Sequence, residues 1–435
     1  MIHIPERFRG KYKLFLVILV AHGLFFAIKL SLGNFFFIED SFEYYRLAEN
    51  IKHGVGFYSG DIHANIQFED YTKRPPLYSI FILVFSFLLH SQIAVLFMQN
   101  VLSIASIFMC LRLFEAYYKP ISQKILLAFL LTSLSQFVYS NYLMSEILLQ
   151  FLIVLLCYLF HAIVTEKKWL YLVCFQVVII LLFLTKPVFY LFLVPNLVLS
   201  VWFTKHIKNA YLYAFLPIIA CVLYMNWNYQ RTGSFEFSSI QNINLKNYNL
   251  YYFNVNKYGE AYAQEVNSKI SAIANAKNTY AEQQKAIKEQ SISYLKKDGL
   301  EYAFMHLKGS LRIFFDPGRF DIHNFFELKN TGEMGFLNQL NKNGIGGALN
   351  YFKNQPLLVI VLIPILLLFN VFKLIGFVLF WVRHYKTAPA LYWFMLLIIL
   401  YIVGLTGPIG AARFLVPILP MYLLFATSGL SKSYR

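Results

Sequence analysis

Apolar residues form long uninterrupted runs, separated by short polar connections that hold many of the lysines and arginines. A helix needs about 20 mostly apolar residues to cross a bilayer, with a range of about 17–25. Such runs predict an all-α polytopic membrane protein with about 10–11 transmembrane helices. The runs cover residues 14–32, 76–90, 93–117, 123–140, 146–165, 168–185, 188–203, 209–228, 357–382, 389–406 and 412–428.

Run 76–90 is the shortest and decides the topology. If it crossed the bilayer, most of the short basic loops would lie outside the cell, against the usual excess of lysine and arginine on the cytoplasmic side. If it lies at the outer interface, all of those loops are cytoplasmic. We therefore predict ten spans with both termini inside, plus one helix that does not span.

This topology divides the chain into three parts. Residues 1–228 form a membrane core whose first external loop is 33–75, residues 229–355 form an extracytoplasmic helical segment, and residues 356–435 form C-terminal transmembrane helices. The spacing of apolar residues after the first run predicts an amphipathic helix along the membrane surface that ends at Gly54.

Segment 229–355 contains few aliphatic runs, so we expect it to pack on the membrane core rather than form an independent domain. Residues 258–297 are rich in helix-favouring Ala, Glu, Gln and Lys. The amphipathic stretch 300–315 is predicted to return to the bilayer surface.

Composition supports the membrane assignment and limits the partners. The chain is 58% hydrophobic and 14% charged, whereas soluble proteins carry about 25% charged residues. The net charge of +16 could suggest nucleic acid. Its location in loops instead favours membrane topology and anionic lipid headgroups, with no nucleic acid. No Walker loop, GxGxxG or HExxH motif is present, which disfavours nucleotide-driven chemistry.

The first external loop offers the leading chemical candidates. Asp40 lies about one turn beyond the first span, where a low-dielectric rim would raise the proton affinity of a carboxylate and suit a general base. Glu43, three residues later, could face the same site, and either Glu39 or Glu43 could instead be a solvated neighbour. Lys73 and Arg74 precede a diproline and would form a phosphate site, although anchoring to lipid headgroups is the simpler interpretation.

Three further charges lie at predicted outer ends of spans. Glu146 opens a long apolar helix, where it would act either as a helix cap or as a functional acid. Lys186 interrupts two apolar runs and calls for an anionic partner. Arg413 is the one charged residue in 407–420, and snorkelling towards water would also explain both cations. Lys373, inside 357–382, has no evident role in the sequence.

Six stretches occur in an order that resembles the GT-C superfamily of integral-membrane glycosyltransferases. The nearest likeness is to its bacterial aminoarabinose transferase and protein O-mannosyltransferase-like branch. The likeness covers about residues 10–250 and 400–420. The stretches are IEDSFEYYRLAENIKHGVGFY, RPPLYSIFIL, LMSEILLQF, LTKPVFYLFLVPN, NWNYQRTGSFEFSS and ARFLVPILP.

The resemblance implies a role for each matching residue. Asp40 would be the general base that deprotonates the acceptor, and Glu146 would bind a metal or orient the acceptor. Arg74 would bind the phosphate of the lipid carrier, and Lys186 and Arg413 would lie near the same phosphate. Lys73 stands where the aminoarabinose branch has an acid, which counts against that branch's metal site and against aminoarabinose as the sugar.

The function implied is transfer of a hexose or pentose from a polyprenyl-phosphate donor, such as an undecaprenyl-phosphate sugar, with inversion at the anomeric carbon. The acceptor would be a lipid, a glycan or a protein of the cell envelope. The site would face the periplasm or exterior from a bacterial inner membrane. A divalent cation (Mg, Mn, Ca or Zn) remains an option, with Asp40 and Glu146 as candidate ligands.

Two other functions compete with this one. A transporter or flippase of a lipid-linked saccharide would place ionisable groups near mid-membrane, whereas these charges cluster at span ends. An O-antigen ligase or polymerase-type enzyme with a diphosphate-linked donor would require more outer cations.

Overall fold

The computed structural model of the protein describes residues 6–33, 36–38, 40–118, 121–328, 344–347, 349–350, 353 and 355–431. Every regular element in these ranges is helical, which confirms the all-α class. Glu39 and the terminal residues 432–435 lie outside the described residues.

The helices fall into an N-terminal membrane group, a polar middle group and a C-terminal membrane group. The first group is α1 (Glu6–Ser31), α2 (Ser41–Lys52), α3 (Pro76–Leu88), α4 (Gln92–Glu115), α5 (Gln123–Leu131), α6 (Leu134–Tyr139), α7 (Glu146–Glu166), α8 (Trp169–Thr185), α9 (Leu193–Trp202) and α10 (Phe215–Thr232). The second is α11 (Ile240–Asn244), α12 (Tyr251–Tyr258), α13 (Glu260–Asn275), α14 (Tyr280–Lys297), α15 (Gly299–Arg312) and α16 (Arg319–Phe325). The third is α17 (Leu357–His384), α18 (Ala390–Thr406) and α19 (Leu419–Leu430).

Short 3₁₀ segments extend several of these helices or connect them. Among them, Pro187–Phe192 precedes α9, Ala210–Ala214 precedes α10, and Ala412–Ile418 precedes α19. Eight of the resulting segments are long and apolar enough to cross a membrane, which confirms a polytopic membrane protein. These are Tyr12–Ser31, Gln92–Glu115, Glu146–Glu166, Pro187–Lys205, Ala210–Thr232, Leu357–His384, Ala390–Ile409 and Ala412–Leu430.

Helix α3 does not run from one end of the bundle to the other. The Tyr78 hydroxyl near its start donates to Gln99 Oε1 of α4 at 2.5 Å, and Gln99 Nε2 donates to the Tyr142 carbonyl at 2.7 Å. These contacts lie at the loop end, which we define as the end that carries residues 40–75. Helix α4 then continues for about 22 Å to Phe114, which stacks on Tyr392 with ring centroids 4.5 Å apart. The chain therefore reaches the opposite end through α4, as the topology argument requires.

The predicted run 123–140 forms two helices with a break between them. Helix α5 ends at Leu131 and α6 begins at Leu134. The hydroxyls of Thr132 and Ser133 donate to the carbonyls of Ala128 and Phe129, both at 2.7 Å. Such side-chain bonds compete with the helical backbone pattern. The eight long segments are fewer than the ten predicted spans, and the crossing of the membrane by α5 with α6 and by the 17-residue α8 stays a prediction.

The break between α5 and α6 gives a structural role to Lys373, the cation in α17 that has no evident role in the sequence. Its side chain is 2% exposed. Its Nζ donates to the Thr132 carbonyl at 3.1 Å, to Ser133 Oγ at 2.9 Å and to Asn370 Oδ1 at 3.1 Å. A cation is favourable where a helix ends in unpaired carbonyls. Lys373 therefore stabilises the end of α5.

Helix α2 forms where the sequence predicts it, but its apolar face contacts protein. Tyr44, Leu47 and Ala48 are buried, and the Tyr44 ring meets Tyr78 of α3 edge-on at 5.0 Å. The chain leaves the helix at Gly54, whose φ of +76° suits glycine. The helix is thus held against α3, which fixes the position of the residues at its N-terminus.

The polar middle group has a small core of its own, built from Leu250, Phe253, Val266, Ile270 and Leu295. It is also tied to the first loop by hydrogen bonds. Ser239 Oγ donates to the Glu69 carbonyl at 2.8 Å, and Ser238 Oγ donates to the Lys73 carbonyl at 3.0 Å. The expected packing of this segment on the membrane core is therefore present in the described residues. The proposed contact of 300–315 with the bilayer surface stays a prediction.

Candidate functional site

Seven of the charged residues singled out in the sequence meet at the loop end of the bundle. They are Asp40, Glu43, Lys73, Arg74, Glu146, Lys186 and Arg413. Asp40 lies between two arginines, since Oδ1 accepts from Arg74 at 2.6 Å and Oδ2 accepts from Arg413 at 2.7 Å. Arg413 reaches Asp40 from the segment before α19, and Arg74 from the turn before α3. The Asp40 carboxylate thus links the first external loop to the segment that carries Arg413, near the C-terminus.

Glu43 contacts both Arg74 and Lys73. Its Oε2 accepts from Arg74 Nε at 2.6 Å, and its Oε1 lies 2.8 Å from Lys73 Nζ. Asp70 Oδ1 lies 3.8 Å from the same Lys73 nitrogen. Arg74 therefore bridges Asp40 and Glu43, and these charged residues of the first external loop form one connected network of ion pairs.

Glu146 forms the buried base of the cluster. Its side chain is 0% exposed, and Oε1 accepts from both Lys186 at 2.7 Å and Arg413 Nε at 2.6 Å. It is the first residue of α7, which packs against α4, α8 and the segment Ala412–Ile418. Gln150, one turn later, donates to the Val416 carbonyl and holds that segment on α7. Arg413 is thereby placed over Glu146.

Exposure falls with depth from Asp40 towards Glu146. The Asp40 side chain is 27% exposed and Arg413 is 13% exposed, whereas Glu146 is fully buried. A ligand that approaches from the loop end would reach Asp40 before Glu146. The geometry therefore makes Asp40 the accessible acid and Glu146 a positioning residue that orders Lys186 and Arg413.

Local packing fixes the two partners on the first loop. The Arg74 guanidinium lies over the Tyr44 ring, 5.1 Å from its centroid, and the Tyr44 hydroxyl lies 3.3 Å from Ser145 Oγ. Pro75 and Pro76 follow immediately, and proline restricts the backbone of the residue before it. These contacts hold Arg74 beside α2 and the start of α7.

The charge state of Asp40 differs from the sequence expectation. Burial alone would raise the pKa of its carboxyl, but Arg74 and Arg413 act more strongly together and hold that pKa below its usual range. The expectation of a raised proton affinity is therefore wrong for the protein without a ligand. Asp40 is an ionised carboxylate whose basicity is suppressed by its partners.

The donor set does not fit a divalent cation. Among the described residues, no group of three or more His, Cys, Asp and Glu side chains converges as metal ligands. Both Asp40 oxygens accept from arginine, and Glu146 Oε1 accepts from a lysine and an arginine. A metal between Asp40 and Glu146 would meet three cations, Arg74, Lys186 and Arg413, so we derive no step through one.

Sequence reasoning missed a second pair of acids behind Arg413. Asp316 Oδ2 accepts from the backbone N–H of Ala412 at 2.6 Å. Asp321 accepts from Ser135 Oγ at 2.6 Å and from the Tyr139 hydroxyl at 2.9 Å. The available signal was their placement in DPGRFD, directly after an amphipathic helix.

Burial raises the pKa of Asp321 from 3.8 to about 7, although its hydrogen bonds act in the opposite direction. Between those pKa values the folded protein binds this proton more tightly than the unfolded chain, so stability falls as the pH rises through that interval. We expect the apparent Tm in detergent to fall from about pH 5 to about pH 8 in the wild type and to fall less in D321N. Equal pH dependence of the two proteins would contradict this assignment.

Comparison of the chain with protein-family models, with curated proteins and with solved structures gives no match. The chemistry of the cluster is therefore argued from its own residues.

Proposed function

We propose that this protein is a GT-C type glycosyltransferase that transfers a sugar from a polyprenyl-phosphate donor to an acceptor outside the cytoplasm. The observation that carries the proposal is Asp40, an accessible carboxylate clamped between Arg74 and Arg413 at the end of the first span. Such a site would combine a base with phosphate-binding cations beside the end of the first span.

The cations suit the anionic donor. Four cations (Lys73, Arg74, Lys186 and Arg413) face four acids (Asp40, Glu43, Asp70 and Glu146), so a donor phosphate would bind by replacing a carboxylate on an arginine. Guanidinium groups bind phosphate oxygens in a bidentate manner. They also stabilise the negative charge that develops when a phosphate departs.

Asp40 would act as the base once the donor is bound. A phosphate that takes Arg74 or Arg413 away from Asp40 removes the interaction that lowers its pKa, so the carboxylate becomes a stronger base. The acceptor hydroxyl then gives its proton to Asp40 while its oxygen bonds to the anomeric carbon. The bond from that carbon to the phosphate oxygen breaks, and its electron pair leaves with the polyprenyl phosphate.

The position of the charges favours transfer over transport. The paired charges described above lie at the loop end, where a headgroup reaction occurs, whereas transport sites lie near mid-membrane. Lys373, the clearest charge within a span, has three structural partners at the break between α5 and α6. A transporter or an O-antigen ligase-type enzyme remains the alternative that the assay must distinguish.

The test supplies purified protein with a panel of undecaprenyl-phosphate hexoses and pentoses, and with lipid, glycan and peptide acceptors. Release of undecaprenyl phosphate that depends on the acceptor supports the proposal. Movement of the intact donor across vesicles without its cleavage would identify a flippase. Cleavage of only diphosphate-linked donors would identify the ligase-type alternative.

Arg74→Ala should chiefly weaken use of the donor. Loss of a charge-assisted hydrogen bond of about 1.5–3 kcal/mol corresponds to a rise of about 10- to 150-fold in the donor KM. The measurement is donor-dependent initial velocity at saturating acceptor. Arg46→Ala is the matched control, because Arg46 is an exposed arginine on α2 of the same loop. Equal donor KM values for R74A and R46A would remove Arg74 from the phosphate site.

A further inference from the structure

The segment that carries Arg413 has little intrinsic rigidity. Gly407 and Gly410 have φ values of +47° and +56°, a region that glycine enters most easily and that costs backbone entropy to hold. Arg413 must nevertheless reach Asp40 and Glu146 together. Its position therefore depends on contacts made by neighbouring residues.

The turn 316–321 supplies such a contact directly beside Arg413. Asp316 Oδ2 accepts from the backbone N–H of Ala412 at 2.6 Å, and Asp316 Oδ1 accepts from the backbone N–H of Gly318 at 3.1 Å. A carboxylate that accepts a backbone N–H forms one of the stronger hydrogen bonds in proteins. This bond fixes the peptide between Ala411 and Ala412, one residue before Arg413.

The turn is itself fastened to membrane helices on two sides. Asp321, five residues later, accepts from Ser135 and Tyr139 of α6. Asn370 of α17 donates from Nδ2 to the Asp316 carbonyl at 3.1 Å, and its Oδ1 accepts from Lys373. The turn 316–321 thus joins the glycine-containing segment to α6 through Asp321 and to α17 through Asp316.

The conformation and packing of the turn 316–321 require glycine at position 318. Its φ is +72°, and a Cβ there would lie 3.1 Å from both Asp321 Oδ2 and Ser135 Oγ. The turn therefore needs glycine both for its backbone conformation and for the close approach of the Asp321–Ser135 pair.

We propose that Asp316 is a positioning residue for Arg413, which sets the guanidinium at the height where it binds Asp40, Glu146 and the phosphate of the donor. The part that concerns the donor rests on the proposed function. The part that concerns the orientation of Arg413 does not, because it follows from the bond between Asp316 and Ala412.

The first experiment measures Arg413 without any substrate. Phenylglyoxal modifies accessible arginines, and mass spectrometry of the peptide that contains Arg413 gives the rate of modification. Arg413 is 13% exposed in the folded protein, so we expect slow modification in the wild type and at least about threefold faster modification in D316A. D316N keeps one acceptor oxygen and should be intermediate.

Asp298→Asn is the matched control, because Asp298 belongs to the same polar segment but pairs with Lys257 and Tyr258. It should modify at the wild-type rate. A D316A rate equal to that of the wild type would overturn the proposal. If neither Asp316 variant folds, hydrogen exchange of the wild type decides the question, since the Ala412 amide should exchange slowly, and rapid exchange would overturn the proposal.

The second experiment connects positioning to the donor phosphate. Binding of farnesyl phosphate is measured for the wild type, D316A, R413A and the double variant. If Asp316 acts through Arg413, D316A weakens binding about tenfold but adds little in the R413A background. Additive losses would overturn the proposal. No binding by the wild type would instead count against the proposed function and leave the modification result to decide the role of Asp316.

Discussion

Asp40→Asn is expected to reduce sugar transfer by about 10²–10⁴-fold, the usual contribution of a general base. The loss should fall on kcat, because the variant keeps Arg74 and Arg413 and removes the carboxylate that competes with the donor phosphate for them. The donor KM should therefore stay constant or fall. Initial velocities over a range of donor concentrations separate the two parameters.

Glu49→Gln is the control for this substitution, because Glu49 lies on the same helix and pairs with Lys52 and His53 away from the cluster. Its turnover should match that of the wild type. Full turnover by D40N would reject Asp40 as the base while leaving the class of enzyme open. A rise in donor KM with unchanged kcat would make Asp40 a binding residue instead.

Glu146→Leu is expected to lower the stability of the folded protein by about 3–5 kcal/mol, the usual cost of removing one partner from a buried ion pair. Lys186 would lose its carboxylate partner, and Arg413 would lose its bond to the buried carboxylate while it keeps the bond to Asp40. Glu146→Gln keeps an acceptor oxygen and should be affected less. Thermal unfolding of the purified variants in detergent measures the difference.

Glu166→Leu provides a stringent comparison, because it makes the same replacement at the other end of the same helix. Glu166 is exposed and pairs with Lys168 on the surface, where such pairs contribute little. Its thermal stability should stay close to that of the wild type. Equal stability of E146L and E166L would show that Glu146 is not the buried centre of a charged cluster.

Much of the site follows from topology. Asp40 and Arg413 are 373 positions apart, and no local pattern pairs them. The positive-inside argument nevertheless assigns Asp40, Arg74, Glu146, Lys186 and Arg413 to one side of the membrane. In the structure these residues do lie at one end of the bundle, although the compartment that this end faces stays a prediction.

The errors come from interactions between distant parts of the chain. The run 123–140 is apolar throughout its length, so hydropathy alone predicts a continuous helix. Its break depends on hydroxyls that bond to local carbonyls and on Lys373, which arrives from α17. The direction of the Asp40 pKa shift was wrong for a similar reason, because burial can be inferred from position but two arginine partners cannot.

The amino-acid sequence by itself determined the helical membrane class, the long apolar helices and the charged residues that the structure brings together at the loop end. Those properties depend on hydrophobic length and on the chemistry of single side chains, both of which can be read along the chain. Only the tertiary structure decided that Asp40 is accessible, that Glu146 is buried, and that Asp316 holds the peptide between Ala411 and Ala412, one residue before Arg413. Each of these depends on distances of a few ångströms between segments far apart in sequence, and such distances are set by packing of the whole bundle.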